Sequence, residues 1–475
     1  MVHRVVSLRL SASIAALFAA LLCVTGPTLC AGDLFLDVVT TDADGLWVFR
    51  GDGEGGFLPP ESLFIADGVE AWSVAVGDLD GDELPEIVSA NRLAAHVTIF
   101  KNGGDAGFAA EPKILTTPDR PYDVDLGDLD GDGDLDIVAT CNFDPGAVVL
   151  FFNDGKGEFP DRETLTPGGE TFNSVLVDLD QKNGVDLVVS LNADDQVALY
   201  HNLGDGSLTP SGTVDTGDDP KALVAADFTG DGFPDVALVN DAAGRVTILQ
   251  NDEQGGLSRG ADYSAGVQPR ELTAVSLDAG GTMDLVVAGG RGSNFVARFL
   301  GNGDGTFLGP VDYATGPRPN SVDSGDVDRD GLTDVVVANW SLDDPSLATV
   351  SVLYGDGTGE LGRKRDFAPP GGFEKVTALA IGQLTPPLRE QFVRGDPLLD
   401  GTIDITDGIE TLNYLFLDGK LKCLDAADTD DNGKLEITDA ILLLNSLFIG
   451  GRDPAPPYPN RGVDPTEDAL DCKGV

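Results

Sequence analysis

An acidic residue that opens a short apolar strand recurs at Asp37, Glu86, Asp136, Asp186, Asp235, Asp284 and Asp334, in steps of 49, 50, 50, 49, 49 and 50 residues. A second signature keeps the same register. Turns opening at Gly51, Asn102, Asn153, Asn202, Asn251, Gly301 and Gly355 are each followed six residues later by Phe57, Phe108, Phe159, Leu208, Leu257, Phe307 and Leu361. Both signatures count seven units. Self-similarity at this period confines the chain to a repeat architecture, so its 475 residues need not be divided among ordinary single-core domains.

Each unit reads as short strands between glycine-rich turns, as in 73–76, 86–89, 96–100 and 112–116 of the second unit. Four short strands at this spacing are the pattern of a β-propeller blade. The two ends of the repeat array also complement each other. It begins with the second strand of a unit, near Leu36 to Thr40, and ends with a lone first strand, Val376 to Ile381. Together these pieces complete one blade, which closes the ring without leaving an open sheet edge.

Ahead of the third repeat aspartate the chain reads GDLDGDGDLDIVAT, from Gly127 to Thr140. Counting from Asp128, positions 1, 3, 5 and 9 are Asp128, Asp130, Asp132 and Asp136, with the carbonyl of Asp134 at position 7. Hard oxygen ligands at this spacing suit Ca2+, which takes six to eight of them in a flexible shell. An EF-hand is excluded, because position 12 is Ala139, inside a strand, where a bidentate Glu belongs. The loop reads as a hairpin calcium loop.

Other units keep the ligands to different degrees. Asp78, Asp80, Asp82 and Glu86 form a full set, as do Asp326, Asp328, Asp330 and Asp334, while Asp227, Thr229, Asp231 and Asp235 exchange one carboxylate for a hydroxyl. The fourth unit has Asp178, Asp180 and Asp186 but Lys182 at position 5, and is expected to bind weakly. The sixth has Ser276, Asp278 and Asp284 with Gly280 at position 5, and is expected to be empty. The count expected is thus about four to five propeller sites. Solvated acidic turns are the plain alternative, but near-complete sets in register argue against it.

These loops and turns resemble the FG-GAP (VCBS-type) repeats of integrin α-subunit propellers and of many secreted bacterial proteins. The likeness covers roughly residues 33–385, and it implies a seven-bladed propeller with calcium in the loops joining the first two strands of a blade. In that family the metals stiffen the loops, and the fold fixes no partner.

Charge and targeting narrow the setting. With 80 Asp and Glu against 30 Lys and Arg, the formal charge is −50, which makes nucleic acid an implausible partner. Residues 1–31 place Arg4 and Arg9 before an apolar stretch from Ala12 to Val24 ended by Gly26 and Pro27, the form of a removable signal peptide. No later stretch is long and apolar enough to span a bilayer. A secreted or cell-surface protein is therefore expected. After the leader only Cys141, Cys423 and Cys472 remain; the last two could pair, and Cys141 is expected to stay unpaired.

Beyond a linker at 386–393 the apolar spacing becomes helical, and ITDGIETLNYLFLDG from Ile405 aligns with ITDAILLLNSLFIGG from Ile437. The stripes Ile409, Leu412, Leu415, Phe416 and Ile441, Leu444, Leu447, Phe448 are expected to pack on each other. Each helix follows a twelve-residue acidic loop. The second carries Asp428, Asp430, Asn432, Glu436 and Asp439 around Gly433; the first keeps Asp396, Asp400, Asp404 and Asp407 around Gly401 but has Leu398 at position 3. One to two further Ca2+ sites are expected, the first loop being the weaker. Asp at position 12 resembles type I dockerin duplicates. That likeness covers 394–451 and implies a module that attaches a secreted protein to a cohesin-like receptor, with Ile405, Thr406, Ile437 and Thr438 at the partner-reading positions; a self-contained appendage is the alternative. The proline-rich tail, 452–475, reads as a spacer leading back to a Cys423–Cys472 bridge. The expected architecture is thus an all-β seven-bladed propeller followed by a small all-α helix pair with calcium loops.

Opposite the calcium loops lie the connectors from one blade to the next. Arg120, Lys221, Arg270, Arg318 and Lys375 fall in five of them, with Trp72, Tyr122, Phe172 and Trp340 in or near the same face. Rings that stack on sugars beside cations that pair with carboxylate or sulfate suit an acidic glycan. Solvated loops and core aromatics are the plain alternative. Three classes of function stay open: a binding or adhesion module for an extracellular glycan or protein, a polysaccharide-degrading enzyme or its accessory subunit, and a structural surface component. No nucleophile, base and orienter set stands out among so many acids, so no catalytic residue is assigned.

Overall fold

The computed structural model describes residues 36–384, apart from 53–54, 105–106, 279 and 343, and further on residues 397, 403, 405–417, 421, 424–430, 434–449 and 454–455. The chain separates into two compact units, one containing Phe35–Thr385 and the other Pro386–Val475. The leader, the linker, the Cys423–Cys472 pair and the loop residues Asp396, Asp400, Asp404 and Asn432 lie outside the described residues.

The first unit is seven four-stranded antiparallel sheets. Every sheet but one takes its strands in chain order. The exception closes the ring, because Leu379–Gly382 pairs with Asp37–Thr41, setting Asp37 against Gly382 and Thr40 against Leu379. Numbering the blades from this composite one, the innermost strands are Leu379–Gly382, Ala71–Gly77, Pro121–Gly127, Thr171–Val177, Pro220–Ala226, Glu271–Val275 and Pro319–Gly325. Each inner strand touches the next, and the last touches the first. The second strand of each blade opens on the repeat acid. Asp136–Cys141 is buried at all six positions, as expected of a β-branched run covered on both faces. Seven apolar clusters fill the wedges between blades, one of them joining Leu79, Val88 and Ile99 to Val124, Ile137 and Val149.

The six-residue spacing of the second signature is a cross-strand pairing. Asn102 bridges Phe108, Asn202 pairs with Leu208, and Asn251 pairs with Leu257. Cys141 is the last residue of its strand, fully buried and free.

In the second unit, helices span Ile405–Leu417 and Ile437–Ile449. They touch where Gly408 of the first helix meets Leu444, a member of the second helix's expected stripe. A Cβ at Gly408 would fall 2.9 Å from Leu444 Cδ2, and Asp407, Gly408 and Thr411 are the buried residues of the first helix. Ile409, Phe416 and Ile441, read from the sequence as core, are exposed. The absence of a side chain at Gly408 lets the first helix meet Leu444 one position around from its own apolar stripe. Among the described residues no helix is long and apolar enough to cross a membrane.

Candidate functional site

The acidic loops join the first and second strands of their blades. In the Asp128 loop the first carboxylate folds the turn, Asp128 Oδ1 accepting from Gly131 N at 2.7 Å and Oδ2 from Gly133 N at 3.1 Å. Gly131 and Gly133 take φ of +80° and +100°, which glycine alone adopts without strain. Asp132 Oδ1 accepts from Asp134 N at 3.0 Å. At position 9, Asp136 accepts from Leu129 N at 2.9 Å and from Asn153 N at 2.8 Å.

Among the described residues, one oxygen from each of three carboxylates then gathers within 4.8 Å in four blades: Asp78, Asp80, Glu86; Asp128, Asp130, Asp136; Asp178, Asp180, Asp186; and Asp326, Asp328, Asp334. These acidic clusters could bind a metal ion. The position-5 residues Asp82, Asp132 and Asp330 stay out of the trios and cap the loops, accepting from Leu84 N, Asp134 N and Leu332 N. The Asp178 loop, which carries Lys182 at that position, still gathers its three carboxylates, and Lys182 Nζ lies 3.2 Å from Asp180 Oδ2. The Asp227 loop forms no such trio; Thr229 Oγ1 hydrogen-bonds Asp227 Oδ1 at 3.4 Å, and Asp231 caps Phe233 N.

Two observations fit a cation. Asp80 Oδ1 and Asp328 Oδ1, both at position 3, are buried without a hydrogen-bond partner. Burial also pushes the carboxyls of Glu86, Asp136 and Asp334 up to about 7, the neighbouring carboxylates adding to it against the backbone N–H groups, so that charge at position 9 requires compensation. Competing cations are close in the second blade, where Lys101 pairs with Asp80 and lies 3.5 Å from Asp82. In the second unit, Asp428, Asp430 and Asp439 form a fifth trio, and Asp439 accepts from Thr429 N at 3.1 Å and Glu436 N at 2.7 Å. Glu436 itself is exposed.

The loops also tie blades together. Asn153 Nδ2 donates to Leu79 O at 2.7 Å, Asn202 Nδ2 to Leu129 O at 2.7 Å and Asn251 Nδ2 to Leu179 O at 2.9 Å. Each turn amide thus holds the carbonyl beside the first aspartate of the preceding blade's loop.

The opposite end of the channel is built differently. The repeat defines one equivalent position per blade, Trp72, Tyr122, Phe172, Lys221, Arg270, Asn320 and Thr377, and at five of them, all but Arg270 and Thr377, the inner strand shifts register. The next residues are Ser73, Asp123, Asn173, Ala222, Glu271, Ser321 and Ala378. Nearly all of them line one cavity of about 60 Å3 at the channel mouth. Blades two to four supply an aromatic arc, with Trp72 4.8 Å from Tyr122 and Tyr122 4.2 Å from Phe172 between ring centroids. Blades six and seven supply Arg270 and Asn320, while Lys221, the equivalent residue of blade five, is buried outside the cavity lining.

The cations lie against rings and acids together. Arg92 sits 5.0 Å over Trp72, Lys375 4.5 Å over Trp72, and Lys221 4.3 Å over Phe172. Lys221 pairs with Asp219 at 2.7 Å, Arg270 with Asp241 at 3.2 Å, and Glu70 takes both Arg92 and Lys375. Arg318 and Trp340 stack on each other at 4.6 Å outside the cavity lining, and Lys375 joins them to Trp72. Arg120 is not brought in: its side chain is 53% exposed and its carboxylate neighbour, Asp119, is 4.0 Å away.

Below the mouth the inner strands enclose about 900 Å3 of channel, walled by valines and leucines with Asp123, Asp125, Glu271 and Asp323 among them and no Lys, Arg or His in the described lining. Asp123 accepts from Ser73 Oγ at 2.9 Å and Ser174 N at 3.1 Å. Burial pushes the Glu271 carboxyl up to about 8, Asp123 and Asp323 adding to it and a hydrogen bond with Ser321 opposing. Sequence reasoning passed over Asp123 and Glu271. Their signal was position: each lies five residues before the first residue of its blade's acidic loop, Asp128 and Ser276.

The FG-GAP-like repeat model matches residues 31–89, 78–139, 178–238 and 277–337. No curated protein matches the chain. Among solved structures, a Lactobacillus plantarum protein is 15% identical with a TM-score of 0.54, over 73% of this chain and 99% of its own. The periplasmic gluconolactonase of Pseudomonas aeruginosa is 16% identical with a TM-score of 0.52, over 73% and 99%. A functionally unknown protein from Desulfotomaculum acetoxidans is 13% identical with a TM-score of 0.50, over 70% and 99%. Likeness at this identity is one of fold. The first unit is a seven-bladed β-propeller, and the FG-GAP-like repeat model matches four stretches of the chain that carry its acidic loops.

Proposed function

We propose that this chain is an exported, calcium-stiffened propeller that binds an extracellular saccharide at the mouth opposite the acidic loops, with residues 394–451 serving as a dockerin-like attachment module for a cohesin-like receptor. The observation that carries the binding reading is the broken symmetry of the mouth. Seven equivalent positions hold three adjoining aromatics on one side and Lys221, Arg270 and Asn320 on the other. A ring that only had to pack would repeat, as the position-9 acids do. Stacked rings offer a sugar its apolar face, while Asp123, Asn173 and Glu271 below accept or donate hydrogen bonds to hydroxyls.

Calcium belongs at the other end, in the four propeller trios and at Asp428, Asp430 and Asp439, where oxygen-only donors suit a hard cation. The test is a glycan array on the metal-loaded full chain, repeated with Trp72→Ala. Binding that Trp72→Ala weakens at least tenfold supports the reading. An array without a hit, or hits indifferent to Trp72, overturns it. Release of reducing ends from any bound polysaccharide would move the assignment to an enzyme, with Glu271 and Asp123 as the carboxyl pair to replace first.

A further inference from the structure

Resting on that reading, we infer that the mouth recognises the end of a saccharide chain whose terminal sugar carries a carboxylate, and that the two arcs fix which way round that sugar sits. The cavity is walled on all sides by residues from the seven inner strands, Thr377 and Ala378 closing the side between Asn320 and Trp72. A cavity of about 60 Å3 accommodates one ring edge in place of a few waters. Because all seven blades contribute to this wall, a saccharide enters the cavity by an end and not by lying across it.

Charge then sets the orientation. The channel floor offers only acids, Asp123 and Glu271 at the mouth and Asp125 and Asp323 deeper, so an anionic group is repelled downward. Of the cations around the rim, Arg92 and Lys375 stack on Trp72 and are both paired to Glu70, and Arg270 alone is among the residues that line the cavity. Arg270 lines the cavity, is held by Asp241 through Nη1 at 3.2 Å, and leaves its buried Nε without a hydrogen-bond partner. Lys221 is the neighbouring cation, carried on Phe172. A sugar stacked on Trp72 and Tyr122 therefore turns its carboxylate toward blades five and six and its hydroxyls toward Asp123 and Asn173. A neutral sugar would satisfy the aromatic arc and leave Arg270 unanswered.

The test titrates the metal-loaded full chain with a galacturonate trimer and a glucuronate-terminated trimer, each beside its neutral counterpart, and with long polygalacturonate. The expected result is at least tenfold tighter binding of one acidic trimer than of its neutral counterpart, with that preference lost in Arg270→Gln while neutral binding is kept. Lys221→Gln, whose side chain is not paired to Asp241, repeats the test if Arg270→Gln unfolds. For the polymer, bound protein should scale with chain ends and not with total uronate. Equal affinity for acidic and neutral trimers, or saturation that follows total uronate, overturns the inference while leaving a Trp72-dependent saccharide site standing. Loss of all saccharide binding removes both.

Discussion

The two ends of the propeller are made from the same repeat and have diverged in opposite ways. At the loop end, the position-9 acid accepts the same pair of backbone N–H groups in blade after blade, whether or not the rest of the loop keeps its carboxylates; Asp284 does so through Leu277 N at 2.9 Å and Gly301 N at 2.8 Å in a loop that forms no trio. At the mouth, the equivalent positions run from Trp to Thr. Repetition marks what the ring needs to stand, and its failure at the mouth is what the proposed binding site rests on.

That contrast can be broken most directly at position 9. Asp284→Ala leaves a buried and a half-buried N–H group without acceptors and should cost about 3 kcal/mol in denaturant unfolding, with or without divalent metal. Asp136→Ala should cost as much in chelator and more with metal present. A silent Asp284→Ala would show that the position-9 acid matters only as a ligand.

Metal removal comes next. Each occupied site at a hundredfold excess over its Kd adds about 2.7 kcal/mol, so chelation should lower the melting temperature and Asp128→Asn should remove part of that fall. Trp72→Ala should leave the metal effect untouched. A chelator that changes neither melting temperature nor calorimetric metal uptake would return these loops to solvated turns.

Smaller effects belong to the mouth. Trp72→Ala should weaken ligand binding about tenfold, near 1.4 kcal/mol, through lost stacking. Glu271 adds a pH dependence whose sign is fixed. Its folded carboxyl is raised from 4.5 to about 8, so the folded state binds that proton more tightly than the unfolded chain. The resulting stability is complete below pH 4.5 and is lost as pH rises toward 8. With metal held saturating, urea midpoints of Glu271→Gln should decline less over that range than those of the parent, and an identical decline would refute the assignment. Least of all, Arg120→Ala should change affinity less than about twofold, because an exposed charge paired at 4.0 Å contributes little.

The ring was legible because its signals are local. Asp136 and the Asn153 to Phe159 turn carry their meaning within a few residues, and the step of 49 or 50 repeats it. The composite blade could be read because a lone first strand at 376–381 had nowhere else to pair. The mouth was half legible. Trp72, Tyr122, Lys221 and Arg270 declare their chemistry, but whether they meet depends on a bulge that puts residues about 49 apart at one height on neighbouring strands. Asp123 and Glu271 were lost among 80 acids until that register was known. In the second unit the stripe rule held at Leu444 and missed on the first helix for a different reason: Gly408, invisible to a hydrophobicity pattern, is where that helix touches its neighbour.

Closure by Leu379–Gly382 beside Asp37–Thr41 has a consequence for synthesis. Asp37–Thr41 leaves the ribosome long before its partner and waits, one edge bare, until more than three hundred further residues have been delivered. Any pause or truncation before that last short strand therefore yields a chain poised to pair with the wrong neighbour, and the acidic surface, by keeping nascent copies apart, protects the interval.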